Sequence, residues 1–146
     1  KAKFIESMVS LAEKVIVSGL IKKELHDTNT GLVNSKKVLG PSEDLEALDI
    51  SEKVAKEFVG EINKAKTIVW NGPFGKFEEK EYQKGTLALA KAIIKSKAFS
   101  VVGGGETIEF LHKENLISKF SWVSTGGGAM LDYLVDGRLP GIDALD

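Results

Sequence analysis

The sequence FSVVGGGET at residues 99–107 is an apolar strand that runs directly into three consecutive glycines. In TIVWNGPFG at 67–75 and FSWVSTGGG at 120–128, an apolar strand likewise leads into a glycine-containing loop, and the second of these loops again has three consecutive glycines. Segments with a helical spacing of apolar residues follow each of the three loops. Alternation of apolar strands and helices is typical of a parallel sheet that is covered by helices on both faces. The three stretches therefore predict an α/β fold with three α/β/α layers and a parallel sheet.

The same alternation extends to both ends of the chain. Asp49 and Glu52 resemble a capping box ahead of one helix, with Ser51 as the alternative cap. Gly85 and Thr86 predict a kink inside another helix, or a point where that helix restarts. The alternation of helices and strands is expected to end at Leu139-Pro140-Gly141. Apolar spacing predicts helices over 4–12, 20–25, 54–62, 79–95, 107–114 and 129–135, and strands over 15–17, 37–39, 67–70, 99–102 and 120–124.

Composition excludes several classes of function. The 146 residues match one domain of ordinary size, and the net charge of −1 gives no field that would attract nucleic acid or an anionic membrane. No apolar run approaches the roughly 20 residues that span a bilayer. The absence of cysteine excludes disulfides and thiolate chemistry, and two histidines make a histidine-built metal site improbable. These features are compatible with a cytoplasmic protein.

The residue types of the three loops point to phosphate. Carboxyl ends of parallel strands share one edge of a sheet, so the loops, which hold eight of the fifteen glycines, are expected to lie together. Glycine lets an anion approach the backbone, and a following helix N-terminus favours negative charge. Glu106 would repel a bare phosphate but suits a divalent cation held between carboxylate and phosphate oxygens. The combination predicts binding of a Mg-nucleotide.

Several of these sequence features also have interpretations other than nucleotide binding. A single glycine-rich loop is often only a tight turn, although two triple-glycine loops together favour phosphate. No Walker or dinucleotide fingerprint is present in the sequence. Glu78 could reach a ligand above the sheet, and both Trp70 and Trp122 are predicted to pack beside the sheet.

Taken together, these motifs resemble phosphoglycerate kinase. The stretches TIVWNGPFGKFE, KGTLALAKAI, VVGGGET, VSTGGGAMLDYL and LPGIDAL follow the order and spacing of that family. The resemblance is close over 48–145 and looser over 1–20. It implies two Rossmann-like domains joined by a hinge, one holding 3-phosphoglycerate and the other Mg-ADP or Mg-ATP. Phosphoryl transfer between 1,3-bisphosphoglycerate and ADP would give 3-phosphoglycerate and ATP in glycolysis, and this chain is similar to the nucleotide-binding part.

The resemblance also implies roles for individual residues. Glu106 occupies the metal-ligand position, and Glu78 matches a carboxylate that hydrogen-bonds the ribose. Leu48 matches an apolar wall of the adenine pocket. The nucleotide-binding positions are Leu48, Asn71, Gly72, Pro73, Glu78, Gly104, Gly105, Glu106, Thr107, Gly126 and Gly127. The positions implied to act on the transferring phosphoryl group are Gly104, Gly127 and Gly128.

Some positions depart from the family. Glu106 stands where the family usually has Asp, and Ala47 stands where it has Gly. The glycine-rich strand end is replaced by Val17-Ser18-Gly19, and residues 21–46 are condensed relative to a longer family stretch that contains a strand. The family's Gly-Ala-Lys segment, with its phosphate-binding Lys, would precede Lys1.

These comparisons lead to one expectation and one alternative. Residues 1–146 are expected to form a single nucleotide-binding domain, a fragment of a two-domain and typically monomeric kinase. Its expected partners are ADP or ATP, with Mg²⁺ as cofactor, and the N-terminal 3-phosphoglycerate-binding domain that this chain lacks. The chain alone is not expected to catalyse phosphoryl transfer. The alternative is a non-catalytic nucleotide-binding or regulatory module derived from the same fold.

Overall fold

The computed structural model describes residues 2–138 and Ala144. Residues 139–141, where the sequence predicts that the regular pattern of helices and strands ends, lie outside this part of the chain. Within this part of the chain, helices and strands alternate as the sequence predicts. The helices are α1 (Ala2–Leu11), α2 (Gly19–Asp27), α3 (Glu52–Ile62), α4 (Lys84–Ser96), α5 (Gly105–Lys113) and α6 (Gly127–Asp136). The strands are β1 (Val15–Ile16), β2 (Val38–Leu39), β3 (Thr67–Asn71), β4 (Phe99–Gly103) and β5 (Trp122–Ser124). Short 3₁₀ turns occupy Gly31–Asn34, Lys80–Tyr82 and Ile117–Lys119.

All strand pairing between described residues is parallel. Strands β3, β4 and β5 form one sheet in that order, and β1 and β2 form a second pair. The predicted α/β class with helices on both faces is confirmed. The strands nevertheless fall into two separate ladders, where the sequence predicts one continuous sheet.

Local signals explain where the helices begin. Ser51, and not Asp49, caps α3, because its hydroxyl accepts a hydrogen bond from the Val54 N–H at 3.3 Å. Helices α5 and α6 begin at Gly105 and Gly127, inside the glycine loops and two residues before the predicted starts. The glycines therefore form the first turns of these helices as well as the loops before them.

Two hydrophobic clusters lie on opposite sides of the strands. The main cluster joins α3, α4 and α5 to one sheet face, and Phe58, Phe110 and Val102 are fully buried in it. Ile16 and Leu39 of the β1–β2 pair also pack against this cluster. The second cluster joins Ile5 of α1 and Leu25 of α2 to Val17 at the end of β1. Helices α1 and α2 therefore cover the opposite face.

The sequence predicts that both tryptophans pack beside the sheet. This prediction is correct for Trp70, which lies in the main cluster with 6% of its surface exposed, and wrong for Trp122. Trp122 is 64% exposed because it begins β5 on the face opposite that cluster. Helix α6 covers this face near the other end of the strands, where Met130 approaches Gly103. Phe99 and Val69 lie on the same face as Trp122 and are also exposed.

The connections between the first three strands run over opposite faces. The connection from β1 to β2 passes through α2 on one face, and that from β2 to β3 passes through α3 on the other. Helices therefore cover both faces of the strands.

No helix within the described residues is long and apolar enough to cross a bilayer.

The two strand ladders are expected to differ in stability. The β1–β2 ladder pairs two residues per strand, whereas five pair between β3 and β4, and a short two-stranded ladder is marginal in water. We expect amide hydrogens of residues 21–46 to exchange faster than those of residues 67–128 in NMR-detected exchange. Equal protection of the two regions would show that they open as one unit.

Candidate functional site

The three glycine loops meet at one edge of the β3–β4–β5 sheet. In the register of the sheet, Asn71 pairs with Gly103 and Gly103 pairs with Ser124. These residues end their strands, so the loops that follow start side by side at the same level. The juxtaposition predicted from the sequence is present in the structure.

The second and third loops are in close backbone contact. A Cβ atom placed on Gly127 would lie 2.5 Å from the Gly104 nitrogen and 2.9 Å from the Asn71 Nδ2. Gly104 itself has φ +95°, a conformation that side-chain-bearing residues rarely adopt. Glycine is therefore required at 104 and 127 for the loops to approach each other.

The first loop is tied to the second by a buried hydroxyl. The Gly72 N–H donates to the Thr107 Oγ1 at 2.9 Å, and Thr107 is fully buried. On the other side, the Trp70 indole N–H donates to the Gly72 carbonyl at 2.7 Å. Gly72, with φ +97°, is thus held by its N–H and its carbonyl in a left-handed conformation. Thr107 fixes the loop through this bond.

Two helix N-termini open at this edge. Helices α5 and α6 begin after Gly104 and Gly126, and neither start has a side-chain cap. Around Gly105 and Gly128, no heavy atom beyond the adjoining residues and the helix's own backbone lies within 4 Å of the position that a Cβ would take. The first N–H groups of a helix carry partial positive charge and no internal partner. The edge therefore offers two uncapped, accessible sets of anion-binding donors.

Glu106 adds a carboxylate to the first turn of α5. Its side chain is exposed, and no described cation forms an ion pair with it. Groups of three or more acidic or histidine residues that could hold a metal ion are absent from the described residues. A cation at this edge would therefore be held by one protein carboxylate together with oxygens of a phosphate ligand and water, which is the donor set that Mg²⁺ accepts.

A cavity lies beside the first loop, where Phe74 forms part of its wall. It measures about 200 Å³ and is lined by residues that include Gly19, Pro41, Ala47, Asp49 and Phe74. Leu48 stands between two of the lining residues and is 49% exposed. A hollow of about 320 Å³ along α2 is lined mostly by charged side chains and does not include the glycine loops.

Two further predicted residues lie near this cavity. Pro73 is half-buried in the first loop, next to Phe74 of the cavity wall. Glu78 is exposed and has no ion-pair partner in the described chain. Its neighbours Lys76 and Glu79 pair with each other, and the hydrogen bond that the Lys76 ammonium donates to the Glu79 carboxylate raises the pKa of Lys76. The Glu78 carboxylate is therefore available to a ligand.

Asp49 has a positioning role that the sequence did not reveal. Its carboxylate accepts hydrogen bonds from the N–H groups of Gly85 at 3.0 Å and Ile50 at 2.8 Å. A Cβ on Gly75 would lie 2.7 Å from the same carboxylate. Asp49 therefore joins the Leu48 segment to the first loop and to the start of α4. Its sequence neighbours suggest a helix cap, whereas its partner Gly85 lies 36 residues further along the chain and could not be inferred from the sequence.

Comparison with known proteins identifies similar chains. The family model of phosphoglycerate kinase matches residues 1–137. The phosphoglycerate kinase of Mycoplasmoides gallisepticum is 48% identical over 104 residues, which cover 71% of this chain and 25% of that protein. That of Finegoldia magna is 47% identical over 105 residues, covering 72% of this chain and 27% of that protein. The chain thus spans about a quarter of the length of the curated relatives it matches.

Solved structures agree with this comparison. The phosphoglycerate kinase of Coxiella burnetii superposes with a TM-score of 0.82 at 28% identity and covers 97% of this chain and 48% of that one. The enzyme of Pyrococcus horikoshii gives a TM-score of 0.77 at 26% identity, covering 99% and 48%. The Rossmann-like architecture extends over nearly all of the chain.

The contact between the loops can be tested with two alanine substitutions. Gly127→Ala places a methyl group against the Gly104 backbone and should lower the free energy of unfolding by about 1–3 kcal/mol. Gly128→Ala, the matched control, meets open space and should leave stability unchanged or slightly raised. Urea unfolding of both variants measures the difference. Equal midpoints would show that the second and third loops do not touch.

Proposed function

Because this chain belongs to the phosphoglycerate kinase family, we propose that residues 1–146 form a nucleotide-binding domain that takes Mg-ADP or Mg-ATP at the carboxyl edge of β3–β5. The observation that carries the proposal is the pair of uncapped helix N-termini, α5 and α6, brought together by the Gly104–Gly127 contact. Two such N-termini side by side suit a ligand with more than one phosphate.

The phosphates would be held by backbone donors and one cation. The N–H groups of Gly105 and Thr107 belong to the first turn of α5, and those of Gly127 and Gly128 to the first turn of α6. Glu106 would hold Mg²⁺ against the phosphate oxygens, and the ion would neutralise their charge. The extra methylene of Glu relative to Asp lengthens the reach of this carboxylate from the helix.

The nucleoside would extend from the phosphates toward the cavity. The first loop, with Asn71, Gly72 and Pro73, leads from the sheet edge to Phe74 of the cavity wall, and a ribose would lie over this loop. The exposed Glu78 carboxylate suits hydrogen bonds to ribose hydroxyls. The half-exposed Leu48 side chain would cover one face of the base.

In the proposed reaction a β-phosphate oxygen of ADP attacks the acyl phosphate of 1,3-bisphosphoglycerate, and the carboxylate of 3-phosphoglycerate leaves. Phosphoryl transfer of this kind depends on positioning and charge stabilisation. In this proposal the N–H groups of Gly104, Gly127 and Gly128 would stabilise the equatorial oxygens of the transferring group. No residue of this chain is assigned to the acceptor, which would be bound by a 3-phosphoglycerate-binding domain.

The role of Glu106 can be tested with Glu106→Gln. Metal-dependent binding of ADP should weaken by about tenfold or more, since hydrogen bonds to charged groups contribute about 1.5–3 kcal/mol. The affinity for ADP without Mg²⁺ should stay the same or increase slightly, because a carboxylate no longer faces the phosphates. Calorimetric titration with ADP, with and without Mg²⁺, measures both affinities.

A matched control lies one turn further along α5. Glu109 is exposed and paired with Lys113 at 2.7 Å, so Glu109→Gln should leave the effect of Mg²⁺ on ADP binding unchanged. If Mg²⁺ changes the affinity for ADP equally in the wild type and in Glu106→Gln, Glu106 does not bind the cation. Absence of any ADP binding to the wild type would reject the nucleotide proposal.

Turnover requires an acceptor domain, so the chain alone should not transfer phosphate from 1,3-bisphosphoglycerate to ADP. Addition of a 3-phosphoglycerate-binding domain, fused or separate, is expected to be necessary for activity. A luciferase assay of ATP formation measures this. ATP production by highly purified chain alone would contradict the assignment, whereas ADP binding without turnover in the fused protein would favour the non-catalytic alternative.

A further inference from the structure

Two buried threonine hydroxyls hold the backbone of the first loop, which follows β3. The Gly72 N–H donates to the Thr107 Oγ1 at 2.9 Å, and the Phe74 N–H donates to the Thr86 Oγ1 at 3.1 Å. Both threonines are fully buried. Thr107 is the third residue of α5, and Thr86 is the third residue of α4. The loop is therefore clamped between the first turns of two helices.

This clamp engages the backbone donors in the middle of the loop. Gly72 and Phe74 donate their N–H groups to the threonines, and Pro73 between them has no N–H. The Gly72 carbonyl is also engaged, because it accepts a hydrogen bond from the Trp70 indole at 2.7 Å. Helices α5 and α6, in contrast, begin without a side-chain cap. A phosphate would therefore take its donors from the helices, and residues 72–74 would offer a surface of fixed position.

Phe74 connects Thr86 to the cavity of about 200 Å³. The Phe74 side chain forms part of the cavity wall. Its ring lies against the ring of Phe58 in α3, with the two centroids 5.6 Å apart. Phe58 is fully buried in the main cluster. The core thus holds the ring of Phe74, and the Thr86 hydroxyl holds its backbone.

The start of α4 is itself fixed to another wall of the cavity. The Gly85 N–H donates to the Asp49 carboxylate at 3.0 Å, and Asp49 lines the cavity. A Cβ on Gly85 would lie 2.4 Å from the Asp49 Oδ1, so only glycine allows this approach. The preceding residue, Leu48, accepts a hydrogen bond from the Lys76 N–H at 2.7 Å. The turn that carries Thr86 is therefore held in place relative to both Leu48 and the first loop.

The hydroxyl of Thr86 has a role that a methyl group could not replace. Valine has nearly the shape of threonine but no oxygen, so it would leave the Phe74 N–H without its acceptor. A backbone N–H that loses its partner inside a protein is costly, and the chain moves to find another acceptor or water. The Phe74 wall of the cavity would move with the loop.

We propose that Thr86 is a positioning residue for the nucleoside part of the bound nucleotide. Its hydroxyl fixes the first loop relative to the cavity, so that the ribose over the loop and the base against Leu48 are held together. Because Thr86 is fully buried, it acts through Phe74 and not by contact with the ligand. This role rests on the nucleotide binding proposed for the chain.

The test compares two substitutions of Thr86 in the full chain by calorimetric titration with ADP and Mg²⁺. Thr86→Val should weaken ADP binding by about tenfold, because the Phe74 N–H loses its acceptor. Thr86→Ser keeps the hydroxyl, so its affinity for ADP should stay within about twofold of the wild type. Urea unfolding shows that each variant is folded under the conditions of the titration.

A matched control lies at the end of α2. The Thr30 hydroxyl donates to the Leu25 carbonyl at 3.2 Å, so Thr30→Val also removes a bond between a threonine and the backbone. Its affinity for ADP should equal that of the wild type. An equal loss of affinity in Thr30→Val and Thr86→Val would assign the effect to stability and overturn the proposal.

The remaining outcomes separate this role from nucleotide binding itself. If Thr86→Val binds ADP as tightly as the wild type, or if Thr86→Ser loses as much affinity as Thr86→Val, Thr86 is not a positioning residue and the nucleotide function stands. If the wild type binds no ADP, the nucleotide function is rejected, and the role of Thr86 falls with it.

Hydrogen exchange in the wild type gives a measurement that does not depend on the folding of a variant. Without ADP, the Phe74 amide should already exchange about tenfold or more slowly than in an unfolded chain, because its bond to Thr86 is present before the ligand binds. Unprotected exchange of this amide would show that Thr86 does not hold the loop, and the proposal would fail.

Discussion

The parallel pairing of β3, β4 and β5 is the constraint on which the candidate site depends. Because the three strands run in one direction and end in register at Asn71, Gly103 and Ser124, each loop starts at the same edge. The sheet is rigid there, since Trp70 and Val102 are buried beneath the loops. A shift of one residue in any strand would separate the loops and turn its buried side chains to the opposite face.

Contacts within the edge then determine its chemistry. The Thr107 hydroxyl holds Gly72, and Gly104 and Gly127 touch through their backbones, so few polar groups of the loops remain mobile. The uncapped starts of α5 and α6 supply the positive potential, and Glu106 supplies the only carboxylate in their first turns. A preorganised arrangement of this kind binds anions without a cluster of basic side chains, which agrees with the nearly neutral charge of the chain.

Much of this could be predicted from the sequence because the signals are local. An apolar run that ends in glycines predicts both a strand and the loop that follows it, and strand β2, predicted over 37–39, is present at Val38–Leu39. Features that depend on distant contacts could not be predicted. The bond between Asp49 and Gly85 joins residues 36 positions apart, and the exposure of Trp122 depends on where α6 crosses the sheet. The separation of the strands into two ladders likewise depends on which strands pair across long stretches of sequence.

The different environments of the two tryptophans have a spectroscopic consequence. Trp70 is buried and its indole N–H is bonded to the Gly72 carbonyl, whereas Trp122 is 64% exposed. Intrinsic fluorescence should therefore contain a blue-shifted component from beneath the first loop and a red-shifted component that iodide quenches. The blue-shifted component is a built-in optical reporter of the loop next to the candidate site, and it requires no label.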